Sequence, residues 1–544
     1  MIETFKTRST TSALELSMRT RTANVDRMKS EVFDLAVIGG GITGAGVALD
    51  AATRGLKVAL VEKRDFASGT SSRSSKLIHG GLRYLEQWDF ALVRESLHER
   101  AVLSRMAPHL SKPLRFLVPV YSSNERSPLG KNRLKLAAGL WLYDLLAGRQ
   151  NIGRHRWLAK REALNLAPAL DPTGLRGAFL YYDCLTDDSR LVIEVIKAAA
   201  ANGAVVANYA SARGFTRTGG RISSVGIEDS IDHTAFELRA NIFINATGVW
   251  ADEVSRLSDK MAAKKLRPSK GIHIVTPSQK FENQTAVLIP SLGERRFLFV
   301  IPWHGRTVIG TTDTDYEGDL DEPMANTGEV DRLVRSAAHA FPDANLSGED
   351  VISSFAGLRP LIKVDQQSTK ELSRKEEIFE DDAGLITITG GKLTTWRRMG
   401  ERVVDLAAGR LDTLDGSGPG RAARCLTQRI QLAGRSPEVA RETAAVEATN
   451  FGVDVTTVEH LIQTYGGNYR VILELTRESE EWKSALVDGL PHIEAEVVYA
   501  ARFEMATTVQ DFLARRTRIE LLARDNGRAC AKRVATLLGL RTED

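Results

Sequence analysis

The stretch DLAVIGGGITGAGVALDAATRGLKVALVEKRD, Asp34 to Asp65, decides the fold of this chain. The apolar run Phe33 to Ile38 is too continuous for a strand with one wet face and predicts a buried parallel strand. Glycines follow it, and then Ile42 to Thr53 shows the periodicity of a helix, which Gly55 ends. Val58 to Val61 predicts a second buried strand. This order predicts a βαβ unit.

Three glycines occupy the G-x-G-x-x-G positions between this strand and this helix. Gly39 permits the tight turn, Gly41 lets the backbone approach a pyrophosphate, and Gly44 lets the helix pack closely on the strand. The helix N-terminus then presents N–H groups to the phosphates. Glu62 ends the second strand, where a carboxylate accepts from ribose hydroxyls and disfavours the 2′-phosphate of NADP. The cofactor contacts predicted in this unit are Gly39, Gly41, Ile42, Thr43, Gly44, Glu62 and Lys63.

Two later segments favour a flavin over NAD as the single dinucleotide, since no second unit of this kind follows. Asn241 to Gly248 predicts a buried strand that ends in a turn of small residues. Leu385 to Met399 predicts a strand, a Gly-Gly turn and a helix that begins near Thr394. A helix N-terminus there would favour the anionic reduced flavin ring. These segments add Ala246, Thr247, Gly248, Gly391, Lys392, Leu393 and Thr394 to the predicted cofactor contacts.

A run of small polar residues, Ser68 to Ser75, follows the second strand. It is either a plain flexible loop or, at this place in a nucleotide domain, a row of hydroxyls and amides along the linker of the cofactor. We adopt the second interpretation, which adds Ser72, Ser74, Ser75 and Lys76 to the predicted cofactor contacts.

The next motif, SSKLIHGGLRYLE from Ser74 to Glu86, carries groups suited to an anionic substrate. The planar fork of Arg83 matches a carboxylate or a phosphate. His79 can transfer a proton near neutral pH, although a lone histidine is more often structural. Arg359 in GLRPL and Lys392 in GGKLTT add two more cations. Convergence of these three cations would suit a phosphate dianion better than an uncharged substrate.

With these motifs the sequence resembles the FAD-dependent glycerol-3-phosphate dehydrogenases of the aerobic respiratory type, from about residue 31 to 535. IHGGLRYLE and DFLARRTR are far more specific than the glycine fingerprint, which many flavoproteins share. The stretches that carry the resemblance are DLAVIGGGITGAG, TSSRSSKLIHGGLRYLE, MAPHL, YYDCLTDDSRLV, NATGVWAD, KGIHIV, FVIPW, IGTTDTDYEGD, GLRPL, TGGKLTTWRRM and EMATTVQDFLARRTRIELL.

The resemblance implies an α/β fold with three parts. These are a Rossmann-like FAD domain of the glutathione-reductase type, an α+β substrate-binding cap and an all-helical C-terminal domain. The expected division is a loose or disordered N-terminal arm at 1–30, a discontinuous FAD domain at 31–110, 181–260 and 350–410, a cap at 111–180 and 261–349, a linker at 411–424 and the helical domain at 425–544.

The resemblance also implies oxidation of sn-glycerol 3-phosphate to dihydroxyacetone phosphate. Hydride would pass from C2 to N5 of FAD, and the electrons would pass to a membrane quinone. The base that takes the C2 hydroxyl proton is His79 or His273, between which the sequence does not choose. The expected catalytic residues are His79, His273, Arg359 and Lys392, and the expected substrate-binding residues are Arg83, Tyr84, Thr312, Arg359 and Lys392.

Two other functions stay open at this point. One is a flavin oxidase that passes electrons to oxygen, acting on glycerol 3-phosphate or an amino acid. The other is an FAD-holding nucleic-acid-binding or regulatory protein, which would need a clustered basic surface. The 73 basic and 69 acidic residues nearly balance, so no nucleic-acid partner is expected. The run Arg515 to Arg518 is interpreted as a solvated or interface face of a helix.

The composition indicates which cellular compartment and which kind of membrane contact to expect. Three widely spaced cysteines fit a reducing compartment and provide no zinc or iron–sulfur spacing, so no metal is expected. No apolar run reaches the roughly 18 residues that span a bilayer, and residues 1–30 lack the apolar core of a secretory signal. We expect a cytoplasmic homodimer in peripheral contact with the inner membrane. Lys131 to Gly148 is either the interfacial helix that makes this contact or a buried helix of the cap.

Overall fold

The structure is a computed structural model that describes residues 14–85, 88–123, 126, 127, 129, 132–294, 296–363, 376–415, 423–433 and 441–540. The side chains of residues 83, 415, 441 and 442 lie outside this description. Two β-sheets with their covering helices form most of the described chain, and helices that follow residue 441 pack on the second sheet.

The strands and helices of the described residues are numbered in chain order. The strands are β1 (Val32–Ile38), β2 (Val58–Val61), β3 (Leu77–Ile78), β4 (Lys112–Tyr121), β5 (Arg156–Ala159), β6 (Leu175–Leu185), β7 (Val205–Ala207), β8 (Ala210–Thr218), β9 (Arg221–Asp229), β10 (Thr234–Asn245), β11 (Leu266–Pro277), β12 (Ala286–Pro290), β13 (Phe297–Trp303), β14 (Arg306–Gly310), β15 (Thr314–Asp315), β16 (Ser353–Ile362), β17 (Glu377–Glu380) and β18 (Leu385–Thr389). The helices are α1 (Met18–Ser30), α2 (Ile42–Thr53), α3 (Phe90–Met106), α4 (Arg133–Ala147), α5 (Lys160–Leu166), α6 (Asp188–Ala201), α7 (Ala251–Ser258), α8 (Thr327–Ala340), α9 (Trp396–Asp415), α10 (Arg441–Phe451), α11 (Val455–Tyr465), α12 (Tyr469–Leu475), α13 (Glu494–Phe503), α14 (Val509–Asp511), α15 (Ile519–Leu522) and α16 (Arg528–Leu537).

The first sheet has the strand order β17-β18-β10-β1-β2-β7, and every pairing in this order except β17 with β18 is parallel. Strand β2 is buried along its whole length. Val58 and Leu60 join the apolar layer of α2, α6 and α9, whereas Ala59 and Val61 join the layer of α1, β8 and β9. Burial on both faces explains the continuous apolar runs of the sequence. The predicted Rossmann-like α/β fold is confirmed.

Residues 18–30 differ from the loose arm expected from the sequence, because they form the docked helix α1. Its Arg21 is fully buried and donates to both carboxylate oxygens of Asp229, at 2.8 and 3.0 Å, and to the carbonyl of Asn208. Val25 and Met28 pack in the same layer. The ion pair and the apolar contacts hold the helix against the first sheet.

The second sheet has the order β15-β11-β14-β13-β12-β4-β6-β3, with β16 paired to β11 and β5 paired to β6. Strands β3 and β16 come from stretches that the sequence division gave to the FAD domain. β16 instead pairs antiparallel with β11 along its full length, from Leu266 opposite Ile362 to Val275 opposite Ser353. The cap therefore includes more of the chain than the sequence division assigned to it. Strand β16 places Arg359 in the second sheet.

The helical C-terminal part is tied to the first domain by ion pairs that are buried. α9 continues to Asp415, so the expected linker begins later than residue 411; residues 416–422 lie outside the described residues. Arg516 donates to both oxygens of Asp65, at 2.8 and 3.0 Å, and Arg515 donates to the same carboxylate at 2.5 Å. The basic run thus lies at an interface. Among the described helices, none combines the length and apolar character that crossing a membrane requires.

Candidate active site

A groove of about 580 Å³ runs along the first sheet at the carboxyl ends of β1, β2 and β18. It contains most of the residues that the sequence predicted for the cofactor. Those that line it are Gly39, Gly41, Ile42, Thr43, Glu62, Lys63, Ser74, Ala246, Thr247, Gly248, Gly391, Lys392 and Leu393.

The glycines of the fingerprint are required by close backbone contacts. Gly39 has φ +110°, and a Cβ there would lie 2.7 Å from the carbonyl oxygen of Ala246. A Cβ at Gly44 would overlap the carbonyl oxygen of Gly39. These contacts bring the start of α2 onto the end of β1 and leave a cradle for a pyrophosphate. The groove therefore fits a dinucleotide.

Glu62 lies at the end of β2, as predicted, and its carboxylate is held by two backbone donors. The N–H groups of Gly40 and Arg64 donate to its two oxygens at 2.7 and 3.0 Å. Burial raises the pKa of Glu62, and these two hydrogen bonds oppose that shift. The carboxylate is thereby fixed at the wall of the groove, where ribose hydroxyls would bind.

Five predicted cofactor residues do not line the groove. Gly44 is buried in the packing of α2, and Ser75 lines the second cavity instead. The hydroxyl of Ser72 donates to the carbonyl of Gly69 at 3.3 Å. Lys76 is fully buried and donates to both oxygens of Asp188 at 2.9 Å, so it is a structural ion pair rather than a cofactor contact. Thr394 bonds to the backbone of His79, as described below.

Some groove residues were not predicted from the sequence. The hydroxyl of Ser71 accepts from the N–H of Ile42 at 3.0 Å, at the start of α2. The first residues of β8, from Ala210 to Ala212, and Trp250 line the other side of the groove. Ser71 belongs to the hydroxyl run already noted, whereas no local signal marks the strand residues, which tertiary packing brings there.

A second cavity, of about 590 Å³, adjoins the groove and is lined mainly by strands of the second sheet, by α4 and by the turn 390–393. The two spaces share Thr70, Ser74, Pro360 and the turn 390–393, which marks where they meet. The predicted site residues that line this second cavity are His79, Tyr84, His273, Arg359 and Lys392. The structure thus brings together groups that are hundreds of residues apart in sequence.

His273 lies on β11 and is almost completely buried. Its Nε2 lies 2.9 Å from the hydroxyl of Ser75, and its Nδ1 has no hydrogen-bond partner among the described residues. Burial lowers its pKa well below 6.5, and the charges of Lys76 and Arg359 lower it further. The imidazole is therefore neutral at physiological pH and able to accept a proton.

Arg359 lies on β16 beside a buried carboxylate. It donates to Asp313 at 3.3 Å, to the hydroxyl of Thr311 at 2.9 Å and to the carbonyl of Thr312 at 3.2 Å. Asp313 also accepts from Ser269 and, at 3.3 Å, from Arg296. The guanidinium is therefore held in a fixed orientation at the cavity wall.

Thr312 does not reach the cavity, contrary to the sequence prediction. Its hydroxyl accepts from the backbone N–H of Ile272 at 3.0 Å. The neighbouring Thr311 lines the cavity in its place. Arg296, which the sequence prediction missed, also lines the cavity. Its only local signal is its position in a basic pair directly before β13.

Lys392 and Tyr84 lie together at the junction of the two cavities. The Nζ of Lys392 lies 3.7 Å from the centroid of the Tyr84 ring and 3.3 Å from the hydroxyl of Ser96. The aromatic face and the hydroxyl hold the ammonium group in place. The side chain of Arg83, the third predicted cation, lies outside the described residues.

The loop that carries His79 is fixed through its backbone. Thr394 accepts from the N–H of His79 at 3.1 Å and donates to its carbonyl at 3.2 Å. The next residue, Gly80, donates to the buried carboxylate of Asp183, which also accepts from Arg100 at 2.7 Å. Thr394 thus couples the turn at the groove to the histidine loop of the second cavity.

Two protein-family models match most of the chain. Residues 34–405 match the model described as FAD dependent oxidoreductase. Residues 425–542 match the model of the C-terminal domain of alpha-glycerophosphate oxidase. The division between the two matches falls where α9 ends and the helical part begins.

Several named relatives are similar over most of their length. Glycerol-3-phosphate dehydrogenase 2 of Mycobacterium tuberculosis strain H37Rv is 39% identical over 94% of this chain and 85% of the relative. The aerobic glycerol-3-phosphate dehydrogenase of Staphylococcus saprophyticus is 38% identical over 90% of this chain and 87% of the relative.

Solved structures share the fold. The glycerol-3-phosphate dehydrogenase from Bacillus halodurans complexed with FAD has a TM-score of 0.77 and 32% identity, over 96% of this chain and 94% of that one. The L-alpha-glycerophosphate oxidase from Mycoplasma pneumoniae with FAD bound has a TM-score of 0.55 at 19% identity, over 69% of this chain and 95% of that one, which is a likeness of fold alone.

Proposed function

Because the chain belongs to the FAD-dependent glycerol-3-phosphate dehydrogenases, we propose that it oxidises sn-glycerol 3-phosphate to dihydroxyacetone phosphate in the second cavity. The observation that carries the proposal is that two fixed cations, Arg359 and Lys392, line the second cavity, with Lys392 also lining the groove. FAD, when bound in the groove, supplies the oxidising ring that takes the hydride from C2 of the substrate.

We assign the cations to the phosphate. The guanidinium of Arg359 keeps its orientation through Asp313 and Thr311, so it presents a planar fork that does not need to be ordered on binding. Lys392 adds a second positive charge to the lining of the same cavity. A dianion that binds both cations gains charge-assisted hydrogen bonds that a neutral polyol does not.

His273 is the proton acceptor in this proposal. A general base must be neutral before it accepts a proton, and burial keeps His273 neutral. Its Nε2 contact with Ser75 fixes the plane of the imidazole. His79, which the sequence left as the alternative, lies on the loop tied to Thr394 and orients the substrate beside the junction.

Anaerobic addition of glycerol 3-phosphate to the FAD-loaded protein tests the function. We expect the flavin absorption to bleach and dihydroxyacetone phosphate to form in equal amount. Glycerol and an amino acid, added in parallel, should leave the flavin oxidised because neither carries the phosphate. A flavin that stays oxidised with glycerol 3-phosphate would contradict the proposal.

We further propose that the electrons pass to a membrane quinone and that α4 contacts the bilayer. One face of α4 is buried through Leu140 and Tyr143, while Leu134, Trp141 and Leu145 are 82%, 61% and 58% exposed. The helix α4 thus packs on the cap through one face and exposes apolar side chains on another. Its exposed Arg133 and Lys135 suit anionic headgroups.

The second cavity extends toward this helix with an apolar lining. The residues of that extension include Leu85, Trp88, Leu129, Leu136 and Leu142. An apolar passage that ends at an exposed apolar helix supports access for a lipid-soluble acceptor. The flavin oxidase remains the second candidate, and stoichiometric peroxide release during aerobic turnover would favour it. A homodimer in the cytoplasm stays a prediction, which light scattering of the purified protein checks.

A further inference from the structure

A cluster of two imidazoles and a carboxylate lies inside the helical C-terminal part, away from both cavities. His460 is on α11, Glu496 is on α13, and His492 directly precedes the N-cap of α13. One ligand atom from each lies within 4.8 Å of the other two. All three residues are buried, with exposures of 8%, 0% and 2%. The proposed oxidation uses none of them.

The carboxylate and one imidazole of the cluster are held in fixed orientations. The Nε2 of His460 lies 3.0 Å from Oε2 of Glu496, and its Nδ1 lies 3.3 Å from the hydroxyl of Thr464. Glu496 also accepts from the hydroxyl of Tyr465 at 2.8 Å and from the N–H of Ile493 at 2.9 Å. Such outer partners orient ligands around metal sites.

His492 supplies the independent observation. Its Nδ1 is buried and has no hydrogen-bond partner in the described part of the chain. Its ring centroid lies 4.4 Å from that of His460. A buried imidazole nitrogen that has no partner among the described residues and lies near a carboxylate is an arrangement that a cation satisfies.

We propose that His460, His492 and Glu496 bind a divalent transition-metal ion, and that Zn²⁺ fits the ligand set. Two imidazoles and a carboxylate suit zinc, whereas Mg²⁺ and Ca²⁺ prefer oxygen ligands. Ligand distances of about 2.0–2.2 Å would replace the direct contact of His460 with Glu496. Three protein ligands leave a fourth position for water. The ion holds α11 to the start of α13.

This proposal departs from the sequence expectation of no metal. That expectation rested on cysteine spacing, and the cluster contains no cysteine. Its only local pattern is the pair His492 and Glu496, four positions apart. His460 comes from another helix and joins them only in the folded chain.

Zinc uptake by the full-length, FAD-loaded protein tests the proposal. The protein is dialysed against a chelator and titrated with Zn²⁺ in competition with a chromophoric chelator. We expect one tightly bound Zn²⁺ per chain and a higher Tm after addition. His492→Asn and Glu496→Gln should lose both effects. His339→Gln, which changes an exposed histidine on α8, should keep both.

Absence of uptake by the wild-type protein at full FAD content would overturn the proposal, as would uptake that the two cluster variants leave unchanged. If those variants fail to fold, Co²⁺ replaces Zn²⁺ in the wild-type protein. Absorption bands of four-coordinate Co²⁺ with nitrogen and oxygen ligands are expected. A spectrum identical to that of aqueous Co²⁺ would contradict the site.

Discussion

The imidazole of His273 lies parallel to the ring of Phe355, with centroids 4.7 Å apart and 10° between the planes. Stacking on one face and the contact of Nε2 with Ser75 at 2.9 Å fix the ring in position and plane. A neutral base held in this way accepts a proton without a reorganisation step.

Replacement of His273 by Asn should lower kcat with glycerol 3-phosphate by about 10²- to 10⁴-fold, because general base catalysis contributes that much. KM and FAD content should change little. In the wild-type enzyme, kcat/KM should decline on acidification only below pH 6.5, because burial lowers the pKa of His273. The variant should lack this decline. A His273→Asn variant with normal kcat would indicate that His79 is the base instead. His79→Asn is therefore the matched comparison.

Arg359→Lys should lower kcat/KM for glycerol 3-phosphate by roughly 10- to 100-fold, mainly through KM, because lost charge-assisted hydrogen bonds cost about 1.5–3 kcal/mol. The control is Arg267→Lys on the neighbouring strand, where Arg267 is 41% exposed and pairs with Asp315. Steady-state kinetics of both variants give the comparison. Equal effects in the two variants would show that Arg359 does not bind substrate.

Gly44→Ala should abolish FAD binding, because the added methyl group overlaps the carbonyl of Gly39 and forces α2 away from β1. The ratio of flavin to protein absorbance measures the loss. Gly409→Ala is the matched control, since a Cβ there meets nothing within 4 Å, and it should retain FAD and gain slight helix stability. Full FAD content in the Gly44 variant would rule out this contact as a determinant.

Asp65→Asn should lower the free energy of unfolding by up to about 3–5 kcal/mol, because it removes the buried carboxylate that Arg515 and Arg516 share. Asp511 and Glu504 stay near the two guanidinium groups and limit the loss. Burial opposes ionisation of Asp65, but Arg516 and Arg515 hold its pKa below the ordinary value. A lowered folded pKa stabilises the fold above the unfolded pKa of about 3.9, and this contribution is lost as the pH falls through the folded pKa.

Chemical denaturation of the Asp65 variant at pH 7 and at acidic pH checks this prediction. The difference from the wild-type protein should shrink at low pH. Glu228→Gln is the control, because this half-exposed residue pairs with exposed Arg213, and surface pairs contribute about 1 kcal/mol or less. A pH-independent difference would point to lost packing instead of lost charge.

The double substitution Trp141→Glu and Leu145→Glu should prevent flotation of the protein with anionic vesicles. The two glutamates place negative charge on the exposed apolar face of α4. The wild-type protein should float, and less so at high salt. Met261→Glu with Met324→Glu is the matched control, as these side chains are 87% and 73% exposed elsewhere. Flotation of a folded α4 variant would exclude this helix as the membrane contact.

The first βαβ unit was predictable because its information is local. Its strands are buried on both faces, and its glycines mark the turn. Lys76 shows the opposite case, because a lysine in a polar run suggests an anionic ligand, while its actual partner Asp188 is 112 residues away. Arg21 and Asp229 are 208 residues apart, so the docking of α1 had no local signal either.

The site was predictable in its residue types and less so in its geometry. Motifs identified Arg359, Lys392 and the two histidines, whereas the choice between Thr311 and Thr312 depends on which hydroxyl faces the cavity. That direction is set by the pairing of β11 with β15 and β16. Arg296 lines the cavity because it directly precedes a strand of the same sheet. Composition and motif spacing do not reveal this position.

The contact of Asp65 with Arg515 and Arg516 has a consequence for biosynthesis. Asp65 lies just after β2, but its partners are made some 450 residues later. Until the ribosome has added them, the nascent FAD domain carries a carboxylate that it cannot bury without cost. Stable burial of Asp65 is therefore postponed until Arg515 and Arg516 have emerged, and a product truncated before them should unfold more easily than the longer chain.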